Sequence, residues 1–228
     1  MNISATKSNV AYDRARRDIV TGVIVANEAI DEAALGDRYG LGRTPIREAL
    51  KQLRNDQLIV WPDRRSPYVP EIGVAQVKSL YEARSIFESQ IAALAAQRIT
   101  DDQAAHLDLL VTKQADLVAR NMAYEAAEVD LLFHKGVAEA TGNQFLVDAS
   151  TRVNISALRI WYQMVVTEGM RPKEHADIAG ALRRHDVQGS VAAVQEHISN
   201  SYRRYIHMST RLPVDAGPDL KSAQRVAG

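Results

Sequence analysis

The sequence predicts a mostly α-helical protein: an N-terminal winged helix-turn-helix followed by an all-α six-helix bundle. Three observations predict this fold class. Apolar residues recur at spacings of three and four along most of the chain, which is the period of an amphipathic helix. A short β-prone run and a returning strand follow the third helical pattern. Beyond Gly73 hardly any strand signal remains, so we expect the rest of the chain to be helical.

Length and composition are those of a folded soluble protein. The chain has 228 residues, of which 46% are apolar and 25% charged, and this is long enough for two modest domains. It contains no cysteine, which excludes disulfides and thiolate metal sites. No apolar run is long enough to span a membrane, and residues 1–10 lack the apolar segment of a signal peptide. We therefore expect a cytoplasmic protein.

Two short helices are predicted before the most informative stretch of the chain. The first runs from about Asn9 to Thr21, where Gly22 ends it. The second covers Glu32–Tyr39, with Asp31 as its N-cap and Gly40 as its breaker. A tight turn then leads into a third helix.

The stretch from Gly42 to Leu53 predicts this third helix. Thr44 is the predicted cap, because its hydroxyl can accept from free N–H groups of the first turn, and Pro45 is the predicted first helical residue. One face is apolar. The opposite face is basic and carries Arg43, Arg47, Lys51 and Arg54. A helix that is apolar behind and basic in front is typical of a recognition helix in the DNA major groove, and the alternative is a surface helix of an all-α domain.

A small hairpin is predicted directly after the third helix. Residues 58–61 are β-prone, residues 62–67 form a turn, and residues 68–70 return as a strand, which completes a winged helix-turn-helix. The formal net charge of the chain is zero. Groups that bind DNA phosphates must therefore be concentrated locally, on the third helix and on Arg64 and Arg65 of the turn.

Residues 10–70 resemble the N-terminal domain of GntR-type bacterial transcription regulators. The match runs from Leu35 to Leu53, and its most specific part is the string RTPIREAL at residues 43–50. The resemblance implies that Arg43, Thr44 and Arg47 meet operator bases or phosphates. It also implies that the wing, at Asp63–Ser66, lies along the neighbouring minor groove. The predicted DNA-binding residues are Arg43, Thr44, Arg47, Lys51, Arg64 and Arg65.

Two departures from the family pattern bear on DNA binding. Relatives usually carry glycine at the wing tip, whereas this chain has Arg64-Arg65-Ser66. Relatives often carry arginine or asparagine in the helix before the turn, at the position that corresponds to Ala33 here. We therefore expect one common operator contact to be missing and the third helix to carry more of the base recognition.

Six amphipathic helices are predicted beyond Gly73, and they form a bundle. They comprise a helix of about 25 residues from Gly73, a second capped by Thr100 or Asp101 that runs to about Arg120, a third over Ala123–Ala140, a fourth from Gln144 to about Glu168, a fifth from Pro172 and a sixth that ends near Arg211. We divide the chain into a DNA-binding domain at residues 8–70, a metal- and effector-binding dimerisation domain at residues 74–211 and a disordered tail at residues 212–228.

A metal site is predicted in this bundle. Asp130 and His134 lie four residues apart on one predicted helix, so their side chains project from the same face. His175 and His197 are equidistant from the predicted turn at Asp186, so they face each other across an antiparallel helix pair. Three imidazoles and one carboxylate suit a divalent transition metal, Zn²⁺ first and Ni²⁺ second. The alternative for Asp130 and His134 is a solvated pair on the helix surface.

Residues 74–211 resemble the FCD ligand-binding domain of the FadR branch, and six helices resemble its VanR-like subgroup. The pattern Asp-x-x-x-His, then Asn, Glu-His and a later His stands here as Asp130, His134, Asn143, Glu174, His175 and His197. The resemblance implies effector contacts at Arg84 and Asn143, and a guanidinium suits a carboxylate ligand. The alternative for Arg84 is a salt bridge with Glu88, one helical turn away.

These features together predict a ligand-responsive DNA-binding transcription regulator. We expect a homodimer, because two recognition helices about 34 Å apart match a palindromic double-stranded operator. Among relatives, repression relieved by the effector is the commoner arrangement, so we expect a repressor that a small carboxylate releases. Two alternatives remain: a metal-dependent hydrolase with an appended nucleic-acid module, and a purely structural metal. No general base is identifiable beside the predicted ligands, which favours the sensor over the hydrolase.

Overall fold

The computed structural model describes residues 6–168 and 171–211, and those residues contain nine helices. The chain divides into two compact units, of which the first ends at Ile72 and the second begins at Gly73. The predicted disordered tail, residues 212–228, lies outside the described residues.

The first unit holds three helices: α1 (Lys7–Val20), α2 (Glu32–Tyr39) and α3 (Arg43–Asn55). The predicted span and cap of α2 are confirmed. Asp31 Oδ1 accepts from the backbone N–H groups of Ala33 and Ala34 at 2.7 and 3.2 Å. Gly40 ends the helix in the left-handed conformation, with φ at 65°, which glycine adopts without steric cost.

The start of α3 differs from the prediction, because Thr44 is not its cap. The helix begins at Arg43, Gly42 is the N-cap, and no side chain donates or accepts a capping hydrogen bond there. Gly42 is extended (φ −72°, ψ 173°), so the chain enters the helix two residues earlier than predicted. Pro45 is therefore the third helical residue, where its missing N–H would have had no partner within the helix. Thr44 stays exposed on the outer face of the helix.

The core of this unit is formed where α1 packs against α3. Ile19, Ile46, Leu50 and Leu53 are each fully buried in it. The phenol of Tyr12 donates to Asp56 Oδ2 at 2.6 Å, which ties α1 to the residue that ends α3. The predicted apolar stripe of α3 therefore faces inward, and its basic face stays exposed.

The paired part of the hairpin that carries the wing is shorter than predicted. Val60 and Tyr68 exchange two backbone hydrogen bonds of 2.9 Å, which makes one antiparallel bridge rather than two regular strands. Pro62 and Pro67 flank the turn and cannot donate to a ladder, which limits the pairing. At the tip, Arg64 has φ at 59°, the left-handed conformation that favours glycine. This conformation costs a residue other than glycine about 1–2 kcal/mol.

The second unit is the predicted six-helix bundle, and this prediction is confirmed for the described residues. Its helices are α4 (Val74–Arg98), α5 (Asp101–Ala119), α6 (Ala123–Glu139), α7 (Gln144–Glu168), α8 (Pro172–Arg183) and α9 (Val187–Arg211). Thr100 caps α5, because its hydroxyl accepts from Gln103 N at 3.3 Å. Within the two described ranges, no helix combines the length and the apolar character needed to cross a membrane.

Packing within the bundle brings polar side chains into its core. The long helix α4 packs along α9, α6 packs between α5 and α7, and α8 folds back on α9. Six acidic, basic or histidine residues on these helices are at most 6% exposed: Arg84, Glu88, Asp130, His134, His175 and His197. Such groups are rarely buried unless they are paired or bind a ligand.

Candidate functional site

Three helices bring the histidines together. His134 comes from α6, His175 from α8 and His197 from α9. One nitrogen of each ring lies within 4.8 Å of the corresponding nitrogens of the other two. The ring centroids of His175 and His197 are 4.7 Å apart across the α8–α9 hairpin. His175 and His197 are equally far from the turn in the sequence, and in the structure they are in direct contact.

Each histidine uses its Nδ1 atom for an oxygen acceptor on a neighbouring helix. The pairs and their N–O distances are His134 with Glu88 at 2.9 Å, His175 with Gln114 at 2.7 Å and His197 with Glu174 at 3.0 Å. A proton on Nδ1 satisfies these contacts and leaves a lone pair on each Nε2, which at His134 lies 3.5 Å from Arg84 Nη2. This arrangement is typical of metal-binding histidines, whose second nitrogen is oriented by a protein oxygen.

The histidine cluster has a buried nitrogen without a hydrogen-bond partner in the described part of the chain, and such an atom suits a metal ion. His175 Nε2 is buried and has no hydrogen-bond partner among the described residues, which is costly for a polar atom. Burial lowers the pKa of His175 well below 6.5, and nearby positive charges lower it further. Burial also lowers the pKa of His197, although its hydrogen bond to Glu174 opposes this. Both shifts favour the neutral ring, which is the form that binds metals.

Asp130 borders the histidine cluster. Its Oδ1 lies 3.6 Å from His175 Nε2 and its Oδ2 lies 3.6 Å from His134 Nε2. Gln114 Nε2 donates to Asp130 Oδ1 at 2.9 Å. The structure therefore brings all four predicted metal ligands into one buried place.

The three Nδ1 partners were not predicted as part of the metal site. Glu174 adjoins His175 on α8, and neighbouring helical residues point about 100° apart, which here directs Glu174 to His197. Gln114 interrupts the buried stripe Ala104, Leu107, Leu110 and Leu117 of α5. A polar amide at an apolar stripe position was a signal in the sequence that could have pointed to Gln114.

Arg84 is fully buried beside the cluster, where it forms the salt bridge with Glu88 that was one alternative from the sequence. Its Nε donates to Glu88 Oε1 at 2.7 Å, and its guanidinium lies 4.8 Å from the centre of the Trp161 ring. Burial alone would raise the pKa of Glu88, but the Arg84 charge and His134 outweigh it and hold the pKa well below 4.5. Arg84 Nη1 has no partner among the described residues, so one N–H edge of the guanidinium remains for a ligand.

A small cavity lies beside His175 and His197. It measures about 30 Å³ and is bordered by His175, His197, Trp161 and Arg204, among others. A space of this size holds an ion or a single water molecule. Any organic effector therefore requires the surrounding helices to rearrange.

Asn143 is the one predicted site residue of the bundle that the structure does not bring to the histidines. Its Oδ1 accepts from Phe145 N at 3.0 Å, at the start of α7. It is not among the described residues that line the two small cavities beside His134 and His175. Its local role is to satisfy a free N–H group of the first turn.

The predicted DNA-contacting residues of α3 form one exposed surface. Arg43, Thr44, Arg47 and Lys51 line a groove of about 700 Å³ together with Ala33 of α2. Arg47 Nε lies 3.5 Å from Glu32 Oε2, and Lys51 Nζ lies 2.8 Å from Glu48 Oε1. Exposed ion pairs contribute about 0–1 kcal/mol, so DNA can displace these acids. Arg64 and Arg65 are exposed at the wing tip.

Replacing Arg47 with alanine tests whether this surface reads sequence. If Arg47 contacts a base, Arg47→Ala weakens binding to the preferred DNA by about 1–3 kcal/mol and relaxes preference at one base position. Fluorescence anisotropy with the preferred site and single-base variants measures this. Lys51→Ala is the control, because loss of a phosphate contact weakens all sequences alike. Uniform weakening by Arg47→Ala would instead place Arg47 on the phosphate backbone.

Two protein-family models match the chain. The model described as bacterial regulatory proteins, gntR family, covers residues 7–69, and the FCD domain model covers residues 79–200. The HTH-type transcriptional repressor RspR of Escherichia coli strain K12 is 29% identical over 199 residues, which cover 85% of this chain and 87% of RspR. The HTH-type transcriptional repressor GlaR of the same organism is 25% identical over 202 residues, which cover 82% of this chain and 90% of GlaR.

Solved structures show the same fold. Escherichia coli McbR/YncC matches with a TM-score of 0.71 at 19% identity, covering 88% of this chain and 99% of that one. A GntR transcriptional regulator from Rhodococcus sp. RHA1 matches with a TM-score of 0.70 at 15% identity, covering 88% and 97%. At these identities the similarity extends to the fold alone.

Proposed function

The chain belongs to the gntR family of bacterial regulatory proteins and carries an FCD domain, and from this we propose that a metal ion and a small carboxylate in the bundle control its binding to DNA. The chain is a DNA-binding transcription regulator. The hydrolase alternative has no support, because the family and its named relatives are regulators rather than enzymes.

The proposed metal ligands are Asp130, His134, His175 and His197. One observation carries this proposal: all three histidines have Nδ1 engaged by a protein oxygen, while a nitrogen of each lies within 4.8 Å of the others. Nitrogen and carboxylate donors suit Zn²⁺ first and Ni²⁺ second. The metal supplies a positive charge that can hold an anionic ligand.

The proposed effector is a small carboxylate held between the metal and Arg84. The buried, unpartnered Nη1 of Arg84 supports this, since charge-assisted hydrogen bonds to carboxylates are strong. The cavity of about 30 Å³ is too small for such an acid, so its binding favours a more open bundle. The effector can shift the bundle only by its differential affinity for the two arrangements.

We further propose that the chain represses transcription in the cytoplasm and that the acid releases it from a palindromic operator. RspR and GlaR, which are similar over more than four-fifths of this chain, are both named repressors. One α3 presents a small base-reading surface, so a second copy is needed for affinity.

An uncharged face of the bundle suits this second copy. From Ala83 to Gln97, a fully described stretch, α4 exposes no charged side chain. Ile86 is 74% exposed and Phe145, at the start of α7, is 86% exposed. A groove of about 330 Å³ runs beside them and is lined by Phe87, Leu94 and Leu146, among others. Exposed apolar surface of this kind marks interaction sites.

Gel shifts test the proposed function. The full-length protein, loaded with zinc, should retard DNA taken from upstream of its own gene. Carboxylic acids of up to six carbons are then added one at a time, and we expect at least one to release the DNA. Release that disappears after zinc is removed by a chelator supports the metal-dependent sensor. Failure to retard any upstream fragment at low salt would overturn the proposal.

Replacing Ile86 with glutamate is expected to convert the dimer to a monomer. The change places a charge within the uncharged face, where a second copy would bury it at high cost. Light scattering coupled to gel filtration measures the mass. Leu109→Glu is the control, because Leu109 is 68% exposed on α5, outside this face. A dimer that persists in Ile86→Glu would place the interface elsewhere.

A further inference from the structure

We propose that Gln114 is a positioning residue that sets two metal ligands, Asp130 and His175, at once. This inference rests on the proposed metal site. Gln114 is 1% exposed and belongs to α5, a helix that supplies none of the four proposed ligands. Its side chain reaches both residues, at 2.7 Å to His175 Nδ1 and 2.9 Å to Asp130 Oδ1.

The hydrogen bonds of Gln114 determine the tautomer of His175. A carboxylate only accepts hydrogen bonds, so the amide Nε2 of Gln114 must face Asp130. The amide oxygen must then face His175, and His175 Nδ1 must carry the proton that is donated to it. In the neutral ring, Nε2 is left with a lone pair, and this is the buried nitrogen without a partner. The orientation of the Gln114 amide and the tautomer of His175 both follow from Asp130. Neither assignment depends on an observed hydrogen atom.

No other side chain of this length can both accept a hydrogen bond from His175 and donate one to Asp130. Methionine would leave the Nδ1–H of His175 and one Asp130 oxygen without partners. Glutamate would accept from His175 but would bring a second carboxylate against Asp130. The other two histidines use Glu88 and Glu174, which only accept. Gln114 therefore joins two ligands, whereas each glutamate orients one.

The expected effect is a loss of metal affinity without loss of the fold. Residues that orient metal ligands typically change affinity by about 10–100-fold when they are replaced. We expect Gln114→Met to weaken Zn²⁺ binding within this range, because His175 is then free to adopt the other tautomer. Methionine suits the apolar stripe of α5, so the variant should fold.

The test uses the full-length protein and two measurements. Competition with a chromophoric chelator gives the Zn²⁺ affinity. Nitrogen-15 NMR of the metal-free protein reports which nitrogen of His175 carries the proton. Leu110→Ala is the matched control: Leu110 lies one turn earlier on α5 and is buried, but it makes none of these hydrogen bonds. Gln114→Glu is a second variant, which should keep the Nδ1–H tautomer because glutamate still accepts.

The outcomes separate this inference from the metal site itself. A 10–100-fold loss in Gln114→Met, a mixed tautomer in that variant and near-wild-type affinity in Leu110→Ala support the positioning role. If the wild type binds Zn²⁺ and Gln114→Met binds it equally well, only the role of Gln114 is overturned. An unchanged His175 tautomer in Gln114→Met also overturns it. If the wild type binds neither Zn²⁺ nor Ni²⁺, the proposed metal site fails, and this inference fails with it.

Discussion

Replacing His175 with alanine is expected to weaken Zn²⁺ binding by roughly 100-fold or more. Structural zinc sites are worth about 10–16 kcal/mol, which shared among four ligands gives roughly 3 kcal/mol for each. His175 is also the ligand whose Nε2 is buried without another partner. The variant should still bind DNA, because its recognition helix is untouched, but the acid should no longer release it.

Isothermal titration with Zn²⁺ and gel shifts with the releasing acid measure the two effects. His106→Ala is the control, since His106 is exposed on α5 and lies outside the cluster. If His175→Ala keeps its response to the acid, the metal is not sensory. If His175→Ala lowers the melting temperature by several degrees and leaves the response to the acid unchanged, the metal is structural.

Replacing Arg84 with methionine is expected to reduce the free energy of unfolding of the bundle by about 3–5 kcal/mol. Removing one member of a buried ion pair leaves the other charge without compensation. Here the remaining charge is Glu88, which is 5% exposed and whose pKa lies well below 4.5 while Arg84 is present. The double variant Arg84→Met/Glu88→Gln should recover part of the loss, because residue 88 then carries no buried unpaired charge.

Urea unfolding measures this loss, followed by the fluorescence of Trp161 in a Trp61→Phe background. Trp161 stacks on His134, with ring centroids 5.3 Å apart, so it reports on this part of the bundle. Lys78→Met is the control: Lys78 and Glu82 have the same spacing on the same helix, but both are exposed. The control should change the free energy of unfolding by less than about 1 kcal/mol. An equally small effect of Arg84→Met would contradict a buried, uncompensated Glu88.

The helices were predictable from the sequence because their signals are local. Asp31 caps α2, Thr100 caps α5 and Pro172 opens α8, and each boundary agrees with the structure within about one residue. The start of α3 was misjudged because Gly42 and Thr44 are both acceptable caps, and the choice depends on how the preceding turn packs. The length of strand pairing in the hairpin was overestimated, because this length depends on the flanking prolines rather than on β-propensity.

The candidate metal site was predictable in part for a similar reason. Helical spacing places Asp130 beside His134, and symmetry about a turn places His175 beside His197. The partners of these residues depend on how each helix is rotated against its neighbour. The hydrophobic periodicity of a helix defines its rotation about its own axis only to within tens of degrees. The contacts of Glu88, Gln114 and Glu174 with the histidines could therefore be identified only from the folded bundle.

Glu88 connects two parts of the proposed site. The same carboxylate accepts from Arg84 and from His134, so the proposed effector anchor and a proposed metal ligand share one oxygen-bearing group. An acid that draws Arg84 toward itself must change how Glu88 holds His134. Thermodynamic reciprocity then requires that the acid alter metal affinity by the same factor by which the metal alters affinity for the acid. The concentration of acid that releases the operator would therefore depend on the supply of free metal in the cell.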